Sequence, residues 1–135
     1  MHRSYRGGPA HGHLNIYSIQ FAVISKELAG ASTRAILLSI LKRSDSYGYA
    51  IINQVHELSS GEVEWKDGML YPVLHRLEDE NLIESFWHKP EGSRKRKYYR
   101  ILPLGLEALE TEKRQWLRVD GMLAHLWDME PRLAV

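Results

Sequence analysis

The spacing of apolar residues changes period along the chain, and each change marks an element. From Ser25 to Lys42, Leu28, Ile36, Leu37, Ile40 and Leu41 form an apolar stripe of helical spacing. Lys42 and Arg43 stand at its C-terminal end, where cations suit the helix dipole. Ser44-Asp45-Ser46 then predicts a turn and an N-cap. A second helix is predicted from Tyr47 to Leu58, with Ile51, Ile52, Val55 and Leu58 on its buried face. Gly61, after Ser59 and Ser60, is placed to take the left-handed conformation that ends it. A third helix is predicted from Gly68 to Glu80, with Asp67 as its cap. Leu70, Val73, Leu74 and Leu77 share one side of it, while Tyr71, Pro72, His75, Arg76 and Asp79 lie on or beside the other. Pro72 sits about a turn inside the helix and removes one backbone bond. Asn81 supplies a left-handed stop.

Beyond Asn81 the period shortens to two. Leu82 to His88 and Lys95 to Leu102 read as strands joined by the turn-rich segment Lys89 to Arg94. Pro103 suits the first position of a last, long helix that runs to about Met129, with Pro131 stopping it. Along it Leu102, Leu109, Trp116 and Leu123 recur every seven residues, and Leu106, Val119, Leu126 and Trp127 widen the stripe. The order helix, helix, helix, hairpin, long helix predicts a mainly α (α+β) fold: a winged helix-turn-helix over 25–102 with a two-stranded wing. Residues 1–24 form a flexible arm in this reading, and 103–135 a C-terminal dimerisation helix and tail. In such a fold the third helix is the one offered to the major groove.

Composition narrows the classes. A chain of 135 residues with 44% apolar content suits one domain plus an arm. The absence of cysteine excludes a disulfide scaffold and cysteine-ligated metals, and fits a cytoplasmic protein. No apolar run approaches the ~20 residues of a membrane helix, so no membrane partner is expected. Ile16 to Ile24, with Arg3 and Arg6 before it and Ala29-Gly30-Ala31 after it, has the outline of a signal peptide. Helical periodicity, however, continues through Ala29 to Ala31. His11 and His13 could touch a metal, but a polar tail is the simpler reading, and no cofactor or metal is predicted. There is no glycine-rich phosphate loop and no cysteine nucleophile. His56, His75, His88 and His125 are scattered over different elements, so no enzyme is expected.

The net charge of +1 points to no partner, but the charge is segregated. Arg94, Lys95, Arg96, Lys97 and Arg100 lie within seven residues of the hairpin, interleaved with Tyr98 and Tyr99, whereas the last helix carries an acidic excess. A phosphate backbone needs cations gathered on one surface. Lysines on an edge strand also block aggregation, but so many cations exceed that need. On the third helix, Tyr71, His75 and Arg76 are candidate DNA contacts, with Lys66 just before the N-terminus. Arg76 suits guanine or phosphate. Pairing with Asp79 or Glu80 is the alternative for Arg76, and core packing the alternative for Tyr71. Leu106, Leu109, Trp116, Val119, Leu123, Leu126 and Trp127 give the last helix more apolar face than a small domain covers. They predict a homodimer seam, with packing on the first helix as the alternative. Trp116 suits a pocket for a flat apolar or aromatic effector as well as plain core packing.

The segment from Glu27 to Trp127 resembles the PadR family of transcriptional regulators. The resemblance rests on Tyr47-Gly48-Tyr49-Ala50-Ile51-Ile52 and on the run from Trp65 to Glu78, including Leu70-Tyr71-Pro72-Val73-Leu74-His75-Arg76-Leu77. Asn81-Leu82-Ile83-Glu84 and Arg94 to Arg100 complete it. The short C-terminal part is similar to the compact subgroup with one such helix. The resemblance implies a homodimer on an inverted-repeat operator in double-stranded DNA, usually a repressor, released in some members by a small molecule. It implies helix contacts at Lys66, Tyr71, His75 and Arg76, wing contacts at Arg94, Lys95, Arg96 and Lys97, and a backbone contact at Tyr47. Two departures stand out: Asn81 replaces a frequent glycine, and Ile101-Leu102-Pro103 offers no side-chain cap to the last helix. A protein–protein adaptor on the same scaffold is the competing expectation, because fold does not fix function.

Overall fold

The computed structural model describes residues 24–129. The predicted arm, with His11 and His13, and the tail containing Pro131 lie outside the described residues. Within them the order is α1 (Lys26–Arg43), β1 (Ser46–Tyr47), α2 (Gly48–Leu58), α3 (Asp67–Asp79), β2 (Ile83–His88), β3 (Arg96–Ile101) and α4 (Pro103–Asp128). Every predicted helix and strand is present, with ends within a residue or so.

The termini follow local chemistry. The Ser25 hydroxyl caps α1 by accepting from the Leu28 amide at 3.1 Å. Helix α3 ends in a Schellman turn: Asn81 adopts φ 62°, and the Leu82 amide donates to the Leu77 carbonyl at 3.0 Å. Helix α2 ends the same way, at Leu58 as predicted, but its left-handed stop begins one residue before Gly61. Ser60, at φ 56°, takes the left-handed position, Gly61 follows at φ 82°, and the Gly61 amide donates to the His56 carbonyl at 2.7 Å. The predicted caps from Ser44-Asp45-Ser46 and from Asp67 do not form. Tyr47 and Lys66 stand at those N-cap positions without a capping side-chain bond.

Ser46 and Tyr47 instead pair with β3 opposite Tyr99 and Tyr98, extending the predicted two-stranded wing to a three-stranded antiparallel sheet of order β1-β3-β2. Two residues carry no periodicity, so only the meeting with β3 defines that strand.

The core is shared by all the helices. Leu37, Leu38 and Leu41 of α1, Ile51 of α2, and Leu70, Leu74 and Leu77 of α3 close over Ile83 and Tyr99 of the sheet. Helix α1 packs against both α4 and β3, so its buried surface is wider than one stripe. Leu38, outside the predicted stripe, is fully buried, whereas Leu28 in the first turn is half exposed. Leu58, predicted inward on α2, is likewise exposed. Arg34 ties three helices together: it donates to Glu80 at the end of α3 (2.8 Å) and to Glu112 of α4 (3.1 Å). The Glu80 bond is the main cause raising its pKa above the ordinary value, against the pull of burial.

Candidate nucleic-acid interface

Helix α3 presents the face that its periodicity predicts. Leu70, Leu74 and Leu77 are buried, while Tyr71, Pro72, His75, Arg76 and Asp79 are exposed. Lys66, exposed, precedes the helix N-terminus, whose free amides and dipole favour an anion. Arg76 makes no ion pair with Asp79 or Glu80; Glu80 pairs with Arg34 instead. Tyr71 sits between its two readings: it is exposed at one edge, but its hydroxyl lies where a Cβ on Gly48 would stand, so α2 begins against it.

The wing resolves the basic run into two faces. Strand alternation and register put Glu84, Phe86 and His88 of β2 opposite Arg100, Tyr98 and Arg96 of β3 on the outer face. There the cations are stacked on aromatics. Arg96 lies 4.7 Å from the Tyr47 ring, and Arg100 lies 4.1 Å from the Phe86 ring. The Tyr47 ring in turn meets Tyr98 at 5.1 Å. Arg100 also reaches Asp45 and Glu84, each at 3.5 Å, which makes it a structural cation. Ser85, Trp87, Lys97 and Tyr99 occupy the inner face, the side packed on the helices, where the Ser85 hydroxyl donates to Glu78 of α3 at 2.8 Å. Four consecutive cations in sequence therefore do not form one cluster. A period of two separates Arg96 from Lys97, and no composition count could show it.

Among the described residues, no carboxylate lies within ion-pair distance of Lys66, Arg76, Arg94, Lys95, Arg96 or Lys97. The cations that do pair, Arg34, Lys42 and Arg100, are not among the predicted contacts. No group of three or more histidine, aspartate or glutamate side chains among the described residues could hold a metal. No described helix is long and apolar enough to cross a membrane.

The dimerisation residues divide along α4. Leu109 is 5% exposed and belongs to the subunit's own core, which removes it from any free seam. Its predicted place there is corrected by the packing of α4 on α1. Trp116 is partly buried. Farther on, Leu123 is 38%, Leu126 58% and Trp127 74% exposed, with Leu106 and Val119 also exposed.

A compact set of helices, a surface helix with unpaired cations and an adjoining basic hairpin define a winged helix-turn-helix DNA-binding protein. The chain belongs to the PadR-like family of transcriptional regulators, which it matches over residues 37–111. It is similar to the Escherichia coli transcriptional regulator YqjI, 32% identical over 82 residues, which are 61% of this chain and 38% of that protein. Two solved structures resemble it closely. A PadR-like transcriptional regulator of Bacillus cereus is 30% identical, with a TM-score of 0.71 over 78% of this chain and all of that one (100%). A PadR family transcription regulator of Clostridium difficile is 33% identical, with a TM-score of 0.64 over 71% of this chain and 98% of that one. Membership makes the chain a transcriptional regulator rather than an enzyme.

Proposed function

We propose that the chain acts as a homodimeric repressor on an inverted-repeat operator. The observation that carries this reading is the set of cations at α3 (Lys66 and Arg76) and in the wing (Arg94 to Lys97), none of these paired with a carboxylate among the described residues. Helix α3 enters the major groove, where Arg76 reads guanine or holds phosphate, and Tyr71 and His75 donate to phosphate oxygens. Lys66 meets a phosphate at the helix N-terminus. The wing cations Arg94 to Lys97, with Tyr47, follow the backbone. The apolar face of α4 left uncovered by its own subunit, with Leu106, Val119, Leu123, Leu126 and Trp127 and the partly buried Trp116, seats the twofold mate. A flat apolar effector entering beside Trp116 at that seam releases the DNA.

The test is a salt titration of duplex binding. With ~6–10 phosphate contacts per dimer, affinity falls ~10³–10⁵-fold between about 50 and 200 mM salt. A flat response favours the adaptor instead.

A further inference from the structure

We propose that Trp87 is a DNA-contacting residue, packing flat on the deoxyribose edge of the minor groove beside the α3 site. The inference rests on the DNA-binding reading above and adds a contact that the basic run does not include. Trp87 is 62% exposed on β2, although tryptophan is among the residues most buried on average. A single exposed apolar side chain means little by itself. Here its neighbours are informative. Lys97 stands directly across the ladder from it, and the Lys95 ammonium lies 5.6 Å from the ring centroid.

The strip also starts beside α3. Alternation places Trp87 on the same sheet face as Ser85, whose hydroxyl bonds Glu78 of α3. Two residues farther along an extended strand is roughly 7 Å. The cation–aromatic–cation strip thus begins where the wing leaves α3. Arg96 and Arg100, stacked on Tyr47 and Phe86, belong to the opposite face.

The Lys97 ammonium lies 5.9 Å from the next ring on that face, Tyr99. An apolar plane set among cations complements a surface whose apolar faces are set among anions. The sugar edges of a minor groove, between two phosphate rows, are such a surface. A second copy of the same patch is not, because a twofold contact would oppose Lys95 and Lys97 to their own equivalents. Sugar packing tolerates any base, so the contact strengthens binding without reading sequence.

The experiment is fluorescence anisotropy of the full chain with a random-sequence duplex of about 40 base pairs, over about 50–200 mM salt. Trp87→Ala is expected to weaken binding about tenfold at every salt concentration, as loss of an aromatic packing contact does. The slope of log K against log salt stays unchanged, because no phosphate contact is lost. Trp87→Phe retains most of the affinity. Lys97→Ala lowers the slope by about 0.9 for each bound subunit. Thermal melts of the Trp87 variants match the wild type, since the side chain is largely exposed. Wild-type binding with Trp87→Ala indistinguishable from it, or a slope changed by Trp87→Ala, overturns this inference and leaves the DNA-binding reading standing. A wild-type chain that does not bind the duplex overturns both.

Discussion

Tyr99 shows how a single side chain links the wing to the reading head. It is one of the largest fully buried residues, and its hydroxyl finds no hydrogen-bond partner among the described residues. Burial, followed by the charges of Glu78 and Tyr71, pushes the hydroxyl up to about 12 from the ordinary 10.0. The unfolded chain therefore releases this proton first as pH rises. Stability is intact below pH 10 and declines as pH approaches 12, at about 1.4 kcal/mol per pH unit from this group. Removing a hydroxyl that bonds nothing costs little, so Tyr99→Phe is expected to fold within about 1 kcal/mol of the wild type at neutral pH. Urea melts at roughly pH 8 and pH 11 check the rest: the wild type loses about 1 kcal/mol more than Tyr99→Phe on the way up. Equal losses would show that the phenol titrates alike in both states. At this scale the sequence offered identities without partners. Arg100 and Arg96 look equivalent in the basic run, yet Arg100 is held by Asp45, Glu84 and Phe86 while Arg96 lies on Tyr47.

The elements were legible where periodicity or backbone stops are strong. Helix α3 could be read to within a residue because its leucines keep one face and Asn81 must adopt positive φ. Strand β1 could not, because its only cause is the pairing of Ser46 and Tyr47 with β3. The start of α4 is another long-range matter. It has no capping side chain, but the Leu102 amide donates to the Leu82 carbonyl at 2.9 Å. Gly105 lets the helix lie on that same carbonyl, since a Cβ there would collide with Leu82 backbone and the Ile101 side chain. Gly105→Ala is therefore expected to destabilise by roughly 1–3 kcal/mol, despite a helix-propensity gain of about 1. Gly30, inside α1 with nothing within 4 Å of its would-be Cβ, is the control. Gly30→Ala is expected to stabilise by about 0.5–1 kcal/mol. Denaturant midpoints of the two variants should move in opposite directions; a shift in the same direction would contradict the close approach at Leu82.

At the scale of the whole molecule, α4 offers more apolar surface than its own subunit covers. Its 26 residues span about 39 Å, longer than the helical domain beneath it needs. The first turns pack on α1 through Leu109, and the later ones expose Leu123, Leu126 and Trp127. The homodimer proposed above buries that half. Replacing both Leu123 and Leu126 by glutamate places charges in the seam without touching the core. Sedimentation is expected to shift from a species of twice 15.7 kDa to one of 15.7 kDa, with DNA affinity falling by orders of magnitude as bivalency is lost. A double variant that stays dimeric would move the interface elsewhere.

The chain's own periodicities determined the helices, the hairpin, the exposed face of α3 and the gathering of cations in the wing. These depend on neighbours within a few residues, and such information is local. Tertiary structure alone decided that Ser46 and Tyr47 form a strand, that Leu109 belongs to the core while Leu123 does not, and that Lys97 rather than Arg96 stands across from Trp87. Each of those depends on which distant segment arrives at a given surface, and burial and register are properties of that meeting rather than of either segment.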